Sequence, residues 1–232
     1  MALSTLVPGV LTICAYAQFA PFVFELDGEI VGTDIDLLMA FANSEGLTTR
    51  VHRRAFMNLW RRPGLDECDV AAAGIAALPT RDVTAGGVWS APYLSVRRSV
   101  LIRVADEDLL RRPSDFRGKK IVVTPNSTAD FDARERYEPL GAEIIGEVPS
   151  QHEVVRSLLR GEVDAFAEGD ASNSYLARQY VDRNGRALLM LADVHSMKTV
   201  ETLHFAVRAA DKRMVTRLNE FIHSQLASAS QQ

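Results

Sequence analysis

The sequence predicts an α/β protein of two lobes, each with a mostly parallel β-sheet flanked by helices. Strand and helix patterns alternate as β-α-β-α-β over residues 9–74, and a second alternating series follows the strand pattern SVLIRV (99–104). The two series end in similar sequence segments, CDVAAAG (68–74) and VDAFAEG (163–169). In each segment an Asp precedes small and apolar residues and a Gly, which indicates one α/β lobe repeated along the chain.

The first series begins with the β-branched apolar run GVLTICAY (9–16), which is typical of a strand. The segment DIDLLMAFANSEG (34–46) repeats apolar residues at helical spacing, with Thr33 as the expected N-cap. The strand TTRVH and the short helix FMNLWRRPG follow, and we expect Pro63 and Gly64 to end that helix. The buried strand CDVAAAG completes the series.

The second series reads as the strand KKIVVT, the helix STADFDARERYEPLG, the strand AEIIGEV (142–148) and the helix SQHEVVRSLLRG. Ser150 and Glu153 have the spacing of a capping box, and Gly161 is a C-terminal stop. VDAFAEG is the last strand of this series.

The C-terminal part of the chain predicts two strands, RALLML and TLHFAVR, and the amphipathic helix DKRMVTRLNEFIHSQLA. These elements must pack on a β-sheet to bury their apolar side chains, and we assign them to the first lobe. The predicted lobes are therefore 1–98 with 191–232, and 99–190. Two crossings between lobes predict a hinge and a cleft.

Composition limits the function classes. The 232 residues are 47% hydrophobic and 24% charged, as in soluble globular proteins, and the formal net charge is -4. That charge and the scattered arginines argue against nucleic-acid binding. The start of the chain lacks a signal-peptide pattern, and no apolar stretch has the length of a membrane span.

The chemistry-bearing residues point to no metal and no cofactor. Cys14 and Cys68 have no metal-ligand spacing, and the sequence leaves their oxidation state open. The five histidines are dispersed, and the motifs of hydrolases, kinases and dehydrogenases are absent.

An ordered set of short motifs resembles one known family. The motifs are FAPF (19–22), GTDIDL (32–37), DVAAAG, PTR, WSAPY (89–93), GKKIVVTPNST, GEVDA (161–165) and HFAVRAADKRMVTRLNEFI. Over roughly residues 9–223 the chain resembles the type 2 periplasmic solute-binding proteins, and among them the amino-acid-binding family 3 of ABC transport systems.

The resemblance implies the type 2 periplasmic binding protein fold, with two Rossmann-like lobes joined by a two-strand hinge. It implies a protein that is not an enzyme and captures a small carboxylate-bearing solute, amino-acid-like, in the cleft between the lobes. The expected partner is the membrane permease of an ABC transporter, and the expected oligomeric state is a monomer. The implied location is periplasmic, or extracellular with a membrane anchor, after removal of a leader; a cytoplasmic location stays open.

The resemblance also implies where the ligand carboxylate binds. Arg81 falls where the family places an arginine whose fork forms two parallel hydrogen bonds to a carboxylate. Asn126, Ser127 and Thr128 stand between a strand and a helix, where hydroxyls and backbone N–H groups converge on an anion. The alternative for Ser127 and Thr128 is an ordinary helix N-cap.

The resemblance also implies the ligand's other contacts. Phe19 and Phe56 match the family's two aromatics, and Gly74 and Ala76 would let a solute approach the backbone closely. Ala76 replaces the hydroxyl residue that the family has there.

The acids that hold an α-ammonium in many family members are absent. Tyr16 and Gly169 occupy their positions. Glu168 and Asp170 flank the second position, so one of them is an alternative acceptor, and a carboxylate ligand without an amine is a second alternative.

Two other functions share this fold. One is an enzyme similar to the cyclohexadienyl (prephenate or arogenate) dehydratases, for which Asp170 is the one acid near the expected general-acid position. The other is a ligand-sensing domain whose closed form binds another protein.

Overall fold

The computed structural model describes residues 3–146, 150–192 and 200–229. The chain divides into two units: unit 1 comprises Met1–Ser95 with Thr202–Gln232, and unit 2 comprises Val96–Glu201. The chain therefore passes from one unit to the other twice. From the sequence we predict these two crossings at residues 98 and 191.

Unit 1 contains most of the strands of the chain. Its elements are β1 (Val10–Ala15), β2 (Gln18–Phe19), β3 (Val23–Leu26), β4 (Glu29–Val31), α1 (Thr33–Ser44), β5 (Thr48–Arg53), β6 (Val70–Ala76) and β7 (Gly87–Trp89). The chain enters unit 2 within β8 (Leu94–Arg103), and unit 2 continues with β9 (Lys120–Val122), α2 (Thr128–Arg136), β10 (Glu143–Ile145), α3 (Gln151–Arg160), β11 (Ala165–Gly169), α4 (Asp170–Gln179) and β12 (Leu189–Leu191). The chain returns to unit 1 within β13 (Val200–Arg208), and α5 (Lys212–Ala229) follows there.

The main sheet of unit 1 has the strand order β5-β1-β6-β13, and β7 pairs with β13. Strand β1 is parallel to both β5 and β6, whereas β13 is antiparallel to β6. Strands β2, β3 and β4 form a separate antiparallel sheet. The carboxyl end of β6, where α/β sheets place their ligands, leads directly to the turn that carries Arg81.

Unit 2 repeats this arrangement. Its strand order is β10-β9-β11-β8, with β9 parallel to β10 and β11, and with β8 antiparallel to β11. Asp69 precedes β6 and Asp164 precedes β11, as the similar segments CDVAAAG and VDAFAEG predict. The Asp69 carboxylate accepts the backbone N–H of Thr12 at 2.9 Å, and the Asp164 carboxylate accepts that of Lys120 at 2.9 Å. Equivalent aspartates therefore tie the third strand of each series to its first, and the predicted repeat is confirmed.

Two apolar clusters pack on the sheet of unit 2, and a third packs on the sheet of unit 1. In unit 2, one cluster includes Phe116, Tyr137 and Ile121, and a second includes Phe166, Val155 and Leu158 of α3. Close packing of this kind makes the sheet a rigid platform for the loops at its edge.

Several sequence predictions differ from the structure at element ends. Gly32, not Thr33, is the N-cap of α1, and its φ of 128° is accessible to glycine but strained for other residues. Pro63 does not end a helix: two 3₁₀ turns, Leu59–Arg61 and Pro63–Leu65, replace the predicted one, and Pro63 starts the second because its fixed φ suits a first helical position. At the start of α3, Ser150 does accept the Glu153 N–H, as predicted.

Three other differences concern whole elements. Helix α4 and the sheet of β2, β3 and β4 were not predicted from the sequence. Strand β12 pairs with β8 and so belongs to unit 2 and not, as predicted, to the first lobe. Residues 147–148 of the predicted strand 142–148 lie outside the described part of the chain.

Candidate functional site

Arg81 is held at the end of β6 in unit 1. Its backbone N–H donates to the Leu78 carbonyl at 2.9 Å, which closes the turn after the strand. Its Nη1 donates to the Ala76 carbonyl at 3.0 Å, and the residue is only 6% exposed. Burying a charged group is costly because the group loses its hydration. A buried guanidinium with fixed contacts therefore makes this turn a candidate functional site.

Two aromatic rings support the Arg81 guanidinium. Its central carbon lies 4.8 Å from the ring centroid of Trp60 and 5.4 Å from that of Phe56. The Phe56 ring also contacts Tyr16 at 5.7 Å and Trp60 at 6.0 Å between centroids. Cation–π contacts of this kind stabilise the charge and hold the guanidinium plane in place.

A disulfide bond lies in the same apolar cluster as these rings. Cys14 of β1 is bonded to Cys68, which precedes β6, with the Cα atoms 5.9 Å apart. Both cysteines pack with Trp60 and Leu59, and Phe56 packs against the cluster. The bond closes a loop that includes the aromatic turn, and so it fastens that turn to the sheet.

Gly74 lies inside β6 beside Phe19. Its φ is +56°, in the left-handed region, and a Cβ at this position would stand 2.8 Å from Cε1 of Phe19 and 3.1 Å from the ring of Phe22. Phe19 packs on Phe22 with a centroid distance of 5.1 Å. Glycine is therefore required by both backbone conformation and space.

Asp34 holds the Gly74 backbone from the start of α1. Its Oδ2 accepts the Gly74 N–H at 2.8 Å, and burial raises the pKa of its carboxyl from 3.8 to about 6. The neighbouring Tyr93 hydroxyl is also buried, and its pKa is raised by burial and by the Asp34 charge. The Tyr93 hydroxyl interacts with the Asp34 carboxyl, and this hydrogen bonding opposes the effect of burial on the pKa of that carboxyl.

In unit 2, the loop of Asn126, Ser127 and Thr128 connects β9 to α2. Ser127 is the N-cap of α2, and its hydroxyl accepts the Asp130 N–H at 3.1 Å. The Asp130 carboxylate in turn accepts the Asn126 N–H at 3.0 Å, which fixes Asn126 at a φ of 60°. The Thr128 hydroxyl donates to Oε1 of Glu201 at 3.1 Å. Ser127 is therefore a helix N-cap, the alternative to a ligand-binding role, and the Thr128 hydroxyl is bonded to the Glu201 carboxylate.

Arg98 joins two acids of unit 2. The residue is 8% exposed, its Nη2 bonds to Oε1 of Glu201, and its Nη1 lies 3.5 Å from Oε1 of Glu168. Burial lowers the pKa of the Arg98 guanidinium and raises that of the Glu168 carboxyl, although the charge of each partner opposes the shift. Arg98 Nε has no hydrogen-bond partner within the described ranges.

The two acids flanking Gly169 have different surroundings. Glu168 is 4% exposed, and its oxygens accept bonds from the Gly169 N–H at 3.1 Å and from the Thr124 hydroxyl at 3.3 Å. Asp170 begins α4 and accepts the backbone N–H groups of Arg97 and Ala171. A Cβ on Gly169 would lie 3.4 Å from Nη2 of Arg98.

The twelve predicted site residues fall equally in the two units. Tyr16, Phe56, Ala76 and Arg81 are linked in unit 1, and Phe19 adjoins Gly74 there; Asn126, Ser127, Thr128, Glu168, Gly169 and Asp170 are in unit 2. From the sequence we expect Trp60 in the core or on a lobe surface, although the aromatic pair Phe56 and Trp60, four residues apart, is a usable signal. Sequence patterns do not point to Arg98 and Glu201, because their 103-residue separation leaves no local pattern.

In residues 3–146, 150–192 and 200–229, no group of three or more His, Cys, Asp or Glu side chains is placed to hold a metal ion. In the same ranges, no helix has both the length and the apolar character needed to cross a bilayer.

A profile of the bacterial extracellular solute-binding proteins, family 3, matches residues 11–232. A search of curated proteins finds no significant match.

Solved structures with the same fold are numerous. AbpA, an amino acid ABC transporter substrate-binding protein from Streptococcus pneumoniae solved with L-arginine, has a TM-score of 0.80 and 20% identity, over 95% of this chain and 90% of that one. An ancestral amino-acid-binding protein described as a precursor of cyclohexadienyl dehydratase has a TM-score of 0.81 and 21% identity, over 95% and 91%. The GluR0 ligand-binding core with L-glutamate has a TM-score of 0.77 and 20% identity, over 98% and 93%. The predicted fold class is confirmed.

Proposed function

Because the chain belongs to family 3 of the bacterial extracellular solute-binding proteins, we propose that it captures a small, amino-acid-like carboxylate for ABC-type uptake. The observation that carries this proposal is the setting of Arg81. The chain acts by binding alone in this proposal, with no cofactor and no chemical step.

Arg81 is suited to a carboxylate because its guanidinium is oriented before any ligand arrives. The Trp60 and Phe56 rings and the Ala76 carbonyl restrict its rotation, which reduces the entropy that binding would otherwise cost. A fixed guanidinium offers parallel N–H groups that match the two oxygens of a carboxylate. Phe19, which adjoins Gly74 of β6, is proposed to pack against an apolar part of the solute.

From unit 2 we propose donors at the start of α2. The Ser127 hydroxyl already accepts the Asp130 N–H, so its own proton is available to a ligand oxygen. The first backbone N–H groups of α2 and the helix dipole favour an anion there. Asn126 contributes by holding the loop in its left-handed turn.

The proposed location is the periplasm, or the cell surface with a membrane anchor, and the proposed partner is the membrane permease of the transporter. The Cys14–Cys68 disulfide supports an oxidising compartment. The monomeric state is proposed as well, and light scattering of the purified chain tests it.

Isothermal titration with a panel of amino acids and organic acids tests the function. We expect at least one of these carboxylates to bind the wild type, and to bind Arg81→Ala about 100-fold more weakly. We expect an intermediate loss of affinity in Arg81→Lys, because lysine keeps the positive charge but cannot form two parallel hydrogen bonds to the carboxylate. Arg50→Ala is the matched control, because Arg50 is an exposed arginine of the same unit. The proposal is wrong if no panel member binds or if Arg81→Ala binds like the wild type.

A second candidate function, a dehydratase acting on prephenate or arogenate, is favoured by Glu168. This carboxyl is buried and its pKa is raised, as a general acid requires. Incubation of the wild type and Glu168→Gln with prephenate or arogenate, with detection of the aromatic product, decides the question. Product formed by the wild type and lost in the variant would replace binding by catalysis as the function.

A sensing role for the same ligand is the remaining candidate. The likeness to the GluR0 ligand-binding core is consistent with it. Co-purification of the ligand-loaded chain with either a permease or a signalling protein from a membrane extract separates uptake from sensing.

A further inference from the structure

The turn that carries Arg81 also contains a strained residue, Thr84. Its φ is +68°, in the left-handed region, where a β-branched residue such as threonine is rarely found. The Thr84 hydroxyl is buried, and it has no hydrogen-bond partner within the described ranges. Both features cost free energy, so the surrounding packing must hold the turn in this conformation.

Gly64, four residues after Trp60, lies directly against Thr84. A Cβ at Gly64 would collide with the Thr84 hydroxyl oxygen and with the Val83 carbonyl oxygen, and it would lie 2.7 Å from the Gly87 nitrogen. Because two of these three atoms belong to the backbone, a side chain at position 64 could not be accommodated by a change of rotamer alone. The segment with the aromatic rings and the turn with Arg81 are therefore in backbone contact, and glycine makes this contact possible.

Other contacts hold the Arg81 turn in the same place. The Gly87 N–H donates to the Thr84 carbonyl at 3.2 Å, and the Thr84 N–H donates to Oδ1 of Asp82 at 2.8 Å. The Val83 side chain packs against the apolar cluster that contains Trp60. These contacts join the turn to the ring that lies 4.8 Å from the guanidinium carbon.

We infer that Thr84 and Gly64 are positioning residues, which orient the Arg81 guanidinium for its ligand. The strained turn keeps the guanidinium against the Trp60 ring, whereas a relaxed turn would give it more orientations and so a larger loss of entropy on binding. This inference rests on the proposed function and involves residues of unit 1 alone. It predicts that relief of the strain stabilises the fold and weakens binding. A residue with a merely structural role would not change the two in opposite directions.

Thr84→Gly is the main test, because glycine accepts a φ of +68° and removes the side chain that lies against Gly64. We expect its urea midpoint to equal or exceed that of the wild type. The ligand probes are the common L-amino acids and glutarate, measured by isothermal titration. The probe that binds the wild type most tightly should bind this variant about 3- to 10-fold more weakly. Asp27→Gly is the matched control and should keep the wild-type affinity, since Asp27 is an exposed residue of unit 1 with a φ of +51°.

Trp60 fluorescence tests the inference without any ligand. In the Trp89→Phe background Trp60 is the single tryptophan, and Arg81→Ala should shift its emission. Thr84→Gly and Gly64→Ala should shift the emission in the same direction. Neither should cause a further shift when combined with Arg81→Ala, because both act through the guanidinium.

The outcomes separate this inference from the function on which it rests. Unchanged emission in Thr84→Gly, or unchanged affinity for a probe that binds the wild type, overturns the inference. A lower urea midpoint also overturns it, since residue 84 would then not be strained, and so does an emission shift that persists without Arg81. If no probe binds the wild type but the emission shifts as expected, the proposed function is wrong and the positioning of Arg81 stands. If Gly64→Ala does not fold, Thr84→Gly alone decides.

Discussion

The guanidinium carbon of Arg81 lies 4.8 Å from the centre of the Trp60 ring. Trp60 itself is buried with the Cys14–Cys68 disulfide in the apolar cluster beside β6. The position of the proposed carboxylate-binding group therefore depends on a ring and a covalent bond that are distant from it in sequence. The predictions below follow from this dependence and from the contacts of β6.

Replacing Trp60 should weaken ligand binding through Arg81. We expect Trp60→Leu to reduce affinity about 3- to 30-fold, because leucine fills apolar space but has no π face, and Trp60→Phe to lose less. Isothermal titration with the amino acid selected by the ligand panel measures both. Equal affinities for the leucine and phenylalanine variants would show that the cation–π contact contributes nothing to binding.

Tryptophan fluorescence gives an independent measurement of the same contact. The chain has two tryptophans, Trp60 and Trp89, so Trp89→Phe leaves Trp60 as the single emitter. Ligand that engages the Arg81 guanidinium should then change the emission of this variant. The emission should stay constant when ligand is added to the double variant with Arg81→Ala.

Adding a methyl group at Gly74 should destabilise unit 1. Its φ of +56° is unfavourable for alanine, and the new Cβ would stand 2.8 Å from the Phe19 ring. We expect Gly74→Ala to lower the free energy of unfolding by about 2 to 4 kcal/mol. Gly46→Ala is the matched control, since Gly46 has a φ of +70° and nothing within 4 Å of its Cβ position.

The Gly46→Ala control isolates the effect of backbone strain, which we expect to lower the free energy of unfolding by about 1 kcal/mol. Urea unfolding followed by circular dichroism measures both variants. A similar loss in the two would mean that the Phe19 contact does not restrict residue 74.

Asp34 should make stability depend on pH near 6. Burial raises its pKa from 3.8 to about 6, so between these values the folded chain binds a proton more tightly than the unfolded chain. This group therefore adds stability as the pH falls from 7 towards 4, by at most about 3 kcal/mol, and that contribution is lost as the pH rises through 6. Asp34→Asn should remove this part of the pH dependence.

Urea unfolding of the wild type and Asp34→Asn from pH 4.5 to 7.5 measures the difference between the two pH profiles, in which the contributions of other acids cancel. Asp36→Asn is the control, because Asp36 is exposed on the same helix. Parallel profiles for the wild type and Asp34→Asn would contradict the raised pKa.

The disulfide should contribute a large share of the stability of unit 1. Cys14 and Cys68 are 54 residues apart, and closing a loop of that length in the unfolded chain is worth about 4 kcal/mol in the chain-entropy model. We expect the double variant Cys14→Ala with Cys68→Ala to lose an amount of this order in guanidinium unfolding. A loss below about 1 kcal/mol would indicate that the bond adds little constraint.

The sequence by itself determined the periodic features of this protein. Alternation of strand and helix patterns predicted the α/β class, and the similar sequence segments around Asp69 and Asp164 predicted that one α/β lobe is repeated. The ordered motifs identified the family, which the profile match to residues 11–232 confirms. These features are local: they depend on side-chain periodicity and on short turns, which a sequence displays directly.

Only the tertiary structure decided which distant residues share one environment. It placed Trp60 under Arg81, joined Cys14 to Cys68, and brought Glu201 to Arg98 and Thr128. It also assigned the Thr128 hydroxyl to an acid, which sequence spacing does not reveal. The physical reason is that burial and charge pairing are set by the packing of elements far apart along the chain, and neither leaves a periodic trace in the sequence.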